Sequence, residues 1–141
     1  MHYALMLLVA ALAGPAPALE QRVTCPLFLP AGAAAEARPV PGWKLLMPQD
    51  TRVTAGGLLH GDPADQAYLK PDAIRSTKNS QLSTDVEIWE LGQPHMFETW
   101  LYCQYGEGLQ LFQKVDPRAT ICSATGKRQR GALNELVFIC K

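Results

Sequence analysis

Four cysteines, Cys25, Cys103, Cys122 and Cys140, constrain this chain more than any other feature. They lie far apart, and no pair has the C-x-x-C spacing of a structural zinc site. Whether they form bridges depends on the redox compartment, so the N-terminus decides how to read them. The chain opens with "MHYALMLLVAALAGPAPA", where Ala4 to Ala13 is an apolar run of ten residues. Such a run is too short to span a bilayer. It is followed by "APA", small residues at the positions a signal peptidase reads. Residues 1–18 therefore read as a secretory signal cleaved after Ala18, although no Lys or Arg precedes the apolar run. Cys25 sits too far past that run, behind Arg22 and Thr24, to suit lipid attachment. The expected mature protein is a single periplasmic domain over residues 19–141. An even cysteine count in a small exported chain implies two disulfides, with three possible connectivities.

The fold class follows from the pattern between the cysteines. "VTCPLFL" reads as a first strand ended by Pro30. "PAGAAAEARPVPGW" reads as a surface loop, with at most a short helix over Ala33 to Ala37. "WKLLM" and "RVTAGGLLH" are candidate strands around a turn at Pro48 to Asp50, and Gly56-Gly57 suggests a bulge. "HGDP" is a turn signal. "ADQAYLKPDAIRSTKNSQLST" reads as a polar loop. "DVEIWEL" alternates like a strand, and "GQP" turns it back into "MFETWLYCQY". No long segment carries helical periodicity. The class is mainly β, an antiparallel sheet or small β-sandwich braced by two disulfides.

The stretch "WLYCQYGEGLQLF" fixes its own register. A two-residue loop would mix apolar and polar side chains on both faces. A three-residue loop, Gly106-Glu107-Gly108, pairs Tyr105 with Leu109, Cys103 with Leu111 and Leu101 with Gln113. One face then becomes Leu101, Cys103, Tyr105, Leu109, Leu111 and Val115, and burial of that face specifies the register. Glycine at Gly108 would suit a left-handed closing residue. The other face carries Trp100, Tyr102, Gln104, Gln110, Phe112 and Lys114. It is either covered by another layer or an aromatic patch that binds a partner.

In "ATICSATGKRQRGALNELVFICK" both ends are strand-like, with "GKRQRG" as the polar turn. A hairpin centred near Gly131 sets Cys122 opposite Cys140, within the reach of a disulfide. This favours Cys122–Cys140 and leaves Cys25 for Cys103; the other two connectivities stay open on sequence alone.

Few residues suggest chemistry. His60 and His95 are the histidines beyond the signal, too few for a metal site of their own. No serine sits in a G-x-S-x-G elbow, and no glycine-rich phosphate loop opens a helix. The formal net charge is zero, which suggests neither nucleic acid nor an anionic membrane as partner. No catalytic residue, cofactor or metal is assigned, and the expectation is a binder, not an enzyme. Two charged features remain. Lys127, Arg128 and Arg130 form a basic tip, either a solvated turn or a contact for an acidic surface. Asp85, Glu87 and Glu90 surround Trp89, which is either an interface anchor or a core residue. The candidate partner-binding set is therefore Asp85, Glu87, Trp89, Glu90, Trp100, Tyr102 and Phe112.

An ordered set of motifs carries a resemblance. "TCP", "PGW" at Pro41 to Trp43, "LLHGDPADQAYLKPD", "WLYCQY", "ATIC" and a final "FICK" form it, and the match would span most of residues 22–141. The chain resembles a family of small exported bacterial proteins first noted in Salmonella, encoded near type VI secretion clusters. The most specific part is W-L-x-C-x-Y followed by an apolar strand and a further cysteine. The resemblance implies immunity against peptidoglycan-targeting effectors and no catalytic site. The expected function is thus a periplasmic immunity-type protein that binds and inhibits a cell-wall-directed effector, without stable membrane insertion. An inhibitor of host lysozyme and a non-catalytic envelope accessory protein are the other readings.

Overall fold

A computed structural model describes residues 19–32, 41–42, 49–92 and 97–141. The expected signal segment 1–18, the expected short helix at 33–37 and strand "WKLLM", Trp43 and His95 lie outside the described residues. Ten strands are described: β1 (Gln21–Thr24), β2 (Phe28–Leu29), β3 (Thr51–His60), β4 (Tyr68–Leu69), β5 (Ala73–Asn79), β6 (Leu82–Glu90), β7 (Thr99–Tyr105), β8 (Leu109–Lys114), β9 (Ile121–Gln129) and β10 (Ala132–Cys140). They form two antiparallel sheets. One runs β1-β10-β9-β6-β5; the other runs β2-β3-β7-β8, with β4 also on β3. The mainly β, two-sheet expectation holds.

The core lies where the inner faces meet. Leu58, Leu101 and Tyr105 come from the second sheet, and Trp89, Cys122, Phe138 and Cys140 from the first. Alternation explains this, since Leu101, Cys103 and Tyr105 are buried while Trp100, Tyr102 and Gln104 between them are half-exposed. The hydroxyl of Tyr105 donates to the Pro26 carbonyl at 2.6 Å, so its one polar atom is satisfied inside the core. Cys25–Cys103 and Cys122–Cys140 are the two disulfides, and no described cysteine is free. The second bridges directly opposed residues of the β9–β10 hairpin, whose Cα atoms are 4.1 Å apart. In the chain-entropy account the bridges, with separations of 78 and 18 residues, contribute about 4.5 and about 3 kcal/mol.

The three-residue hairpin loop is confirmed, since Tyr105 pairs with Leu109 and Cys103 with Leu111. Two details differ. The left-handed residue is Gly106, with φ +59°, and not Gly108. Leu111 is 38% exposed, because β8 is an edge strand and the sheets do not close against β1 there.

Four other expectations are corrected. "VTCPLFL" is not one strand: β1 joins β10 and β2 joins β3, so the chain changes sheet at Cys25-Pro26. Proline has no N–H to continue a ladder, and the Cys25 N–H instead reaches the Leu136 carbonyl at 2.9 Å. The polar run 64–84 is not a loop; it holds β4, β5 and the start of β6. Gly126 to Gln129 continue β9, leaving the turn to Arg130 and Gly131, both at positive φ. Gly56-Gly57 is not the bulge, because the register shift falls between Val53 and Ala55. Gly56 serves close approach, as a Cβ there would lie 2.6 Å from Leu136 Cδ2 of the facing sheet.

Candidate interaction surface

The outer face of the second sheet takes its character from the other half of the β7 and β8 alternation. Trp100, Tyr102, Gln104, Gln110, Phe112 and Lys114 share it, joined by Tyr68 of β4, which pairs with Leu59. Tyr102 stands at its centre. Its ring packs edge-on to Tyr68 with centroids 5.1 Å apart, and lies 6.4 Å from Phe112. The space for that ring comes from Gly57, where a Cβ would lie 3.0 Å from the phenol. Tyr68 and Gln110 exchange hydrogen bonds: the hydroxyl donates to Oε1 at 3.2 Å, and Nε2 donates to the hydroxyl at 2.9 Å. Lys114 lies 5.7 Å from the centre of the Trp100 ring and pairs with Glu98 at 2.6 Å. The rings are half-covered, and Tyr68 supplies part of the cover.

The acidic segment is divided by strand alternation. Asp85, Glu87 and Trp89 pair across from Gly126, Ala124 and Cys122 and turn inward; Glu90 turns outward and is exposed. Trp89 is only 2% exposed, and its indole N–H donates to the Leu69 carbonyl at 3.1 Å. It is a core residue, and its place in the candidate contact set is corrected on that ground: a partner cannot reach it in the folded chain.

Asp85 and Glu87 face inward where the second sheet is incomplete. Among the described residues, β2 covers the first part of the β3 edge and β4 the last, leaving Ala55 and Gly56 between them beside a cleft of about 90 Å3. The small residues Ala124 and Gly126 on its floor keep it open. Asp85 accepts from the Ser76 hydroxyl at 2.6 Å and lies 3.9 Å from the Arg128 guanidinium. Burial raises the Glu87 carboxyl above its ordinary value, the Asp85 charge adds to this, and Arg128 offsets part of it. Of the basic tip, Arg128 thus serves this cleft, Lys127 pairs with Glu135 at 2.7 Å, and Arg130 hydrogen-bonds Gln81.

The aromatic face and the acidic cleft meet at one residue. The phenol of Tyr102 is pushed up by burial, then by Tyr68, and then by the charge of Glu87. Gly56 lines the cleft beside Asp85 and Glu87, and the next residue, Gly57, underlies the Tyr102 ring. Sequence reasoning chose Tyr102 and Glu87 separately, placed Arg128 in a basic tip without its partner Asp85, and missed Tyr68. Tyr68 was hidden in a run that lacks strand alternation; Arg128 was hidden in an apparent turn.

This surface is suited to recognition: rigid rings, amides that donate and accept, and a recessed carboxylate pair. Among the described residues, no group of three or more His, Cys, Asp or Glu is placed to hold a metal ion. Also among them, no helix is long and apolar enough to cross a membrane. No curated protein and no solved structure matches the chain significantly. A family model described as Type VI secretion system Tli immunity protein matches residues 48–141.

Proposed function

The chain belongs to the type VI secretion system Tli immunity protein family, and from that premise we propose that it acts in the periplasm as a non-catalytic inhibitor of a cell-wall-directed effector enzyme. Both disulfides support action in an oxidising compartment. The observation that carries the contact assignment is the Gly56-Gly57 step, where Gly56 lines the acidic cleft and Gly57 underlies the Tyr102 ring. Trp100, Tyr102 and Phe112 would supply buried area, and Asp85 and Glu87 would meet cationic side chains of the effector. Glu90, on the opposite side of β6, would contribute only if the partner wraps that edge. Inhibition would come from occluding the effector's cleft.

The test produces the effector encoded beside this gene in the periplasm, with and without this protein carrying residues 1–18. Rescue of growth should require that segment. Purified effector should lose activity on peptidoglycan when the protein is added. Tyr102→Ala should weaken binding by about 2 kcal/mol, roughly thirtyfold. Inhibition of an effector that cleaves phospholipid instead would overturn the cell-wall assignment and leave the immunity role standing. Failure to bind the effector, together with inhibition of lysozyme, would overturn the immunity role in favour of a lysozyme inhibitor.

A further inference from the structure

The sheet edges are unequal. β2 and β4 are two residues each, and β1 has four. β8 ends against Gln21, whose side chain donates to the Lys114 carbonyl at 3.0 Å and accepts from the Asp116 N–H at 2.8 Å. β5 has none of these protections. It runs seven residues, pairs among the described residues with β6 alone, contains no proline, glycine or register shift, and is exposed at every position. Ile74 is 61% exposed. Its free side therefore presents a row of backbone donors and acceptors to solvent, which is a template for another strand.

The charges on this strand discriminate between possible occupants. "AIRSTKN" carries Arg75 and Lys78 and no acid, and among the described residues neither has a carboxylate within ion-pair distance. Two copies pairing through β5 would bring four cations and no anion together, which like-charge repulsion opposes. A strand with carboxylates would meet the opposite field. Arg75 and Ile74 lie on opposite faces of β5, as successive residues of a strand must. A complementary strand therefore carries an acid on the face it shares with Arg75 and an apolar residue on the face it shares with Ile74.

We propose that β5 is a docking edge, to which an extended, acidic segment of the effector adds as a further strand of the first sheet. The inference rests on the immunity reading. It adds how the partner is held: backbone pairing along β5, with the Asp85 and Glu87 side of the acidic cleft one strand further in, on β6. The added strand would border the cleft through the inward residues Ile74 and Ser76, which pair with Glu87 and Asp85.

The experiment measures binding of the adjacent-gene effector to the wild-type chain and to the double variant Arg75→Glu/Lys78→Glu, with amide hydrogen exchange along 73–79. Both substituted side chains are exposed, so circular dichroism should show an unchanged fold. The expected result is protection of alternate β5 amides in the complex and at least a tenfold loss of affinity in the double variant. Unchanged affinity, or a complex in which β5 amides exchange as fast as in the free chain, would overturn the edge proposal while the immunity role stands. No binding by the wild-type chain would overturn both. A concentration-dependent dimer with β5 protected would also overturn it, by making a second copy the occupant.

Discussion

The first sheet contains two hairpins built alike and stabilised differently. β5–β6 and β9–β10 have strands of seven to nine residues and two-residue turns, at Ser80-Gln81 and Arg130-Gly131. In β9–β10 every second residue turns inward and is buried here: Leu136, Phe138 and Cys140 face Gly126, Ala124 and Cys122, and a disulfide joins the last pair. In β5–β6 only Trp89 is buried, at the end nearest the core. The turns are tied, as the Arg130 N–H reaches the Gln81 carbonyl at 3.0 Å, so the exposed hairpin is held in place by the covered one. The difference teaches that one sheet can divide its labour: β9–β10 is packed into the core, and β5–β6 is left exposed, as the proposed docking edge requires.

The strongest way to break this contrast is truncation. Phe138→Ala should cost about 3–5 kcal/mol, because it empties the space against Gly56. Ile74→Ala should stay within about 0.5 kcal/mol. Urea denaturation of both variants checks this, and similar losses would show that β5 is packed after all. Next in size is Gly56→Ala, expected to destabilise by about 1–3 kcal/mol. Its new methyl would meet the Tyr102 carbonyl at 2.6 Å, which is backbone and cannot swing aside. A neutral result would mean that the sheets are less closely apposed than Gly56 implies.

The same contrast explains what the sequence made legible. The β7–β8 register could be read because Leu101, Cys103 and Tyr105 alternate with polar or amphipathic residues, and a one-residue slip would expose them. Cys122 opposite Cys140 followed from the hairpin length. β5 was not legible for the opposite reason: a strand exposed on both faces has no alternation to detect. The candidate surface divides in the same way. Tyr102 and Phe112 stood out as a face, and their pairing is observed. Trp89 could not be resolved, since an aromatic among acids reads alike in a core and on a surface; only the facing sheet places it inside. The meeting of Glu87 with Tyr102 depends on two sheets approaching over Gly56 and Gly57, a long-range event that no local pattern records.

The smallest expected effect sharpens the comparison most, because it asks whether the exposed hairpin gives up stability for contact. The folded chain raises the Glu87 carboxyl above 4.5, chiefly through burial and then through Asp85. A carboxyl raised on folding binds its proton more tightly in the folded than in the unfolded state. Stability from this group is therefore greatest at low pH, falls as pH rises from about 4.5 through the raised value, and is flat above it. Glu87→Gln removes the charge that causes the fall. The variant should be more stable than the wild type at pH 7, by less than about 1 kcal/mol because the side chain is still partly solvated. The advantage should shrink as pH falls through the raised value towards 4.5 and be gone below it, where the wild-type carboxyl is protonated in both states. Urea titrations at pH 7 and pH 4 measure it. A variant less stable at pH 7 would mean that attraction to Arg128 outweighs burial and that the cleft is a structural ion-pair site. A more stable variant that binds the effector less tightly would identify Glu87 as a charge kept at a stability cost for recognition.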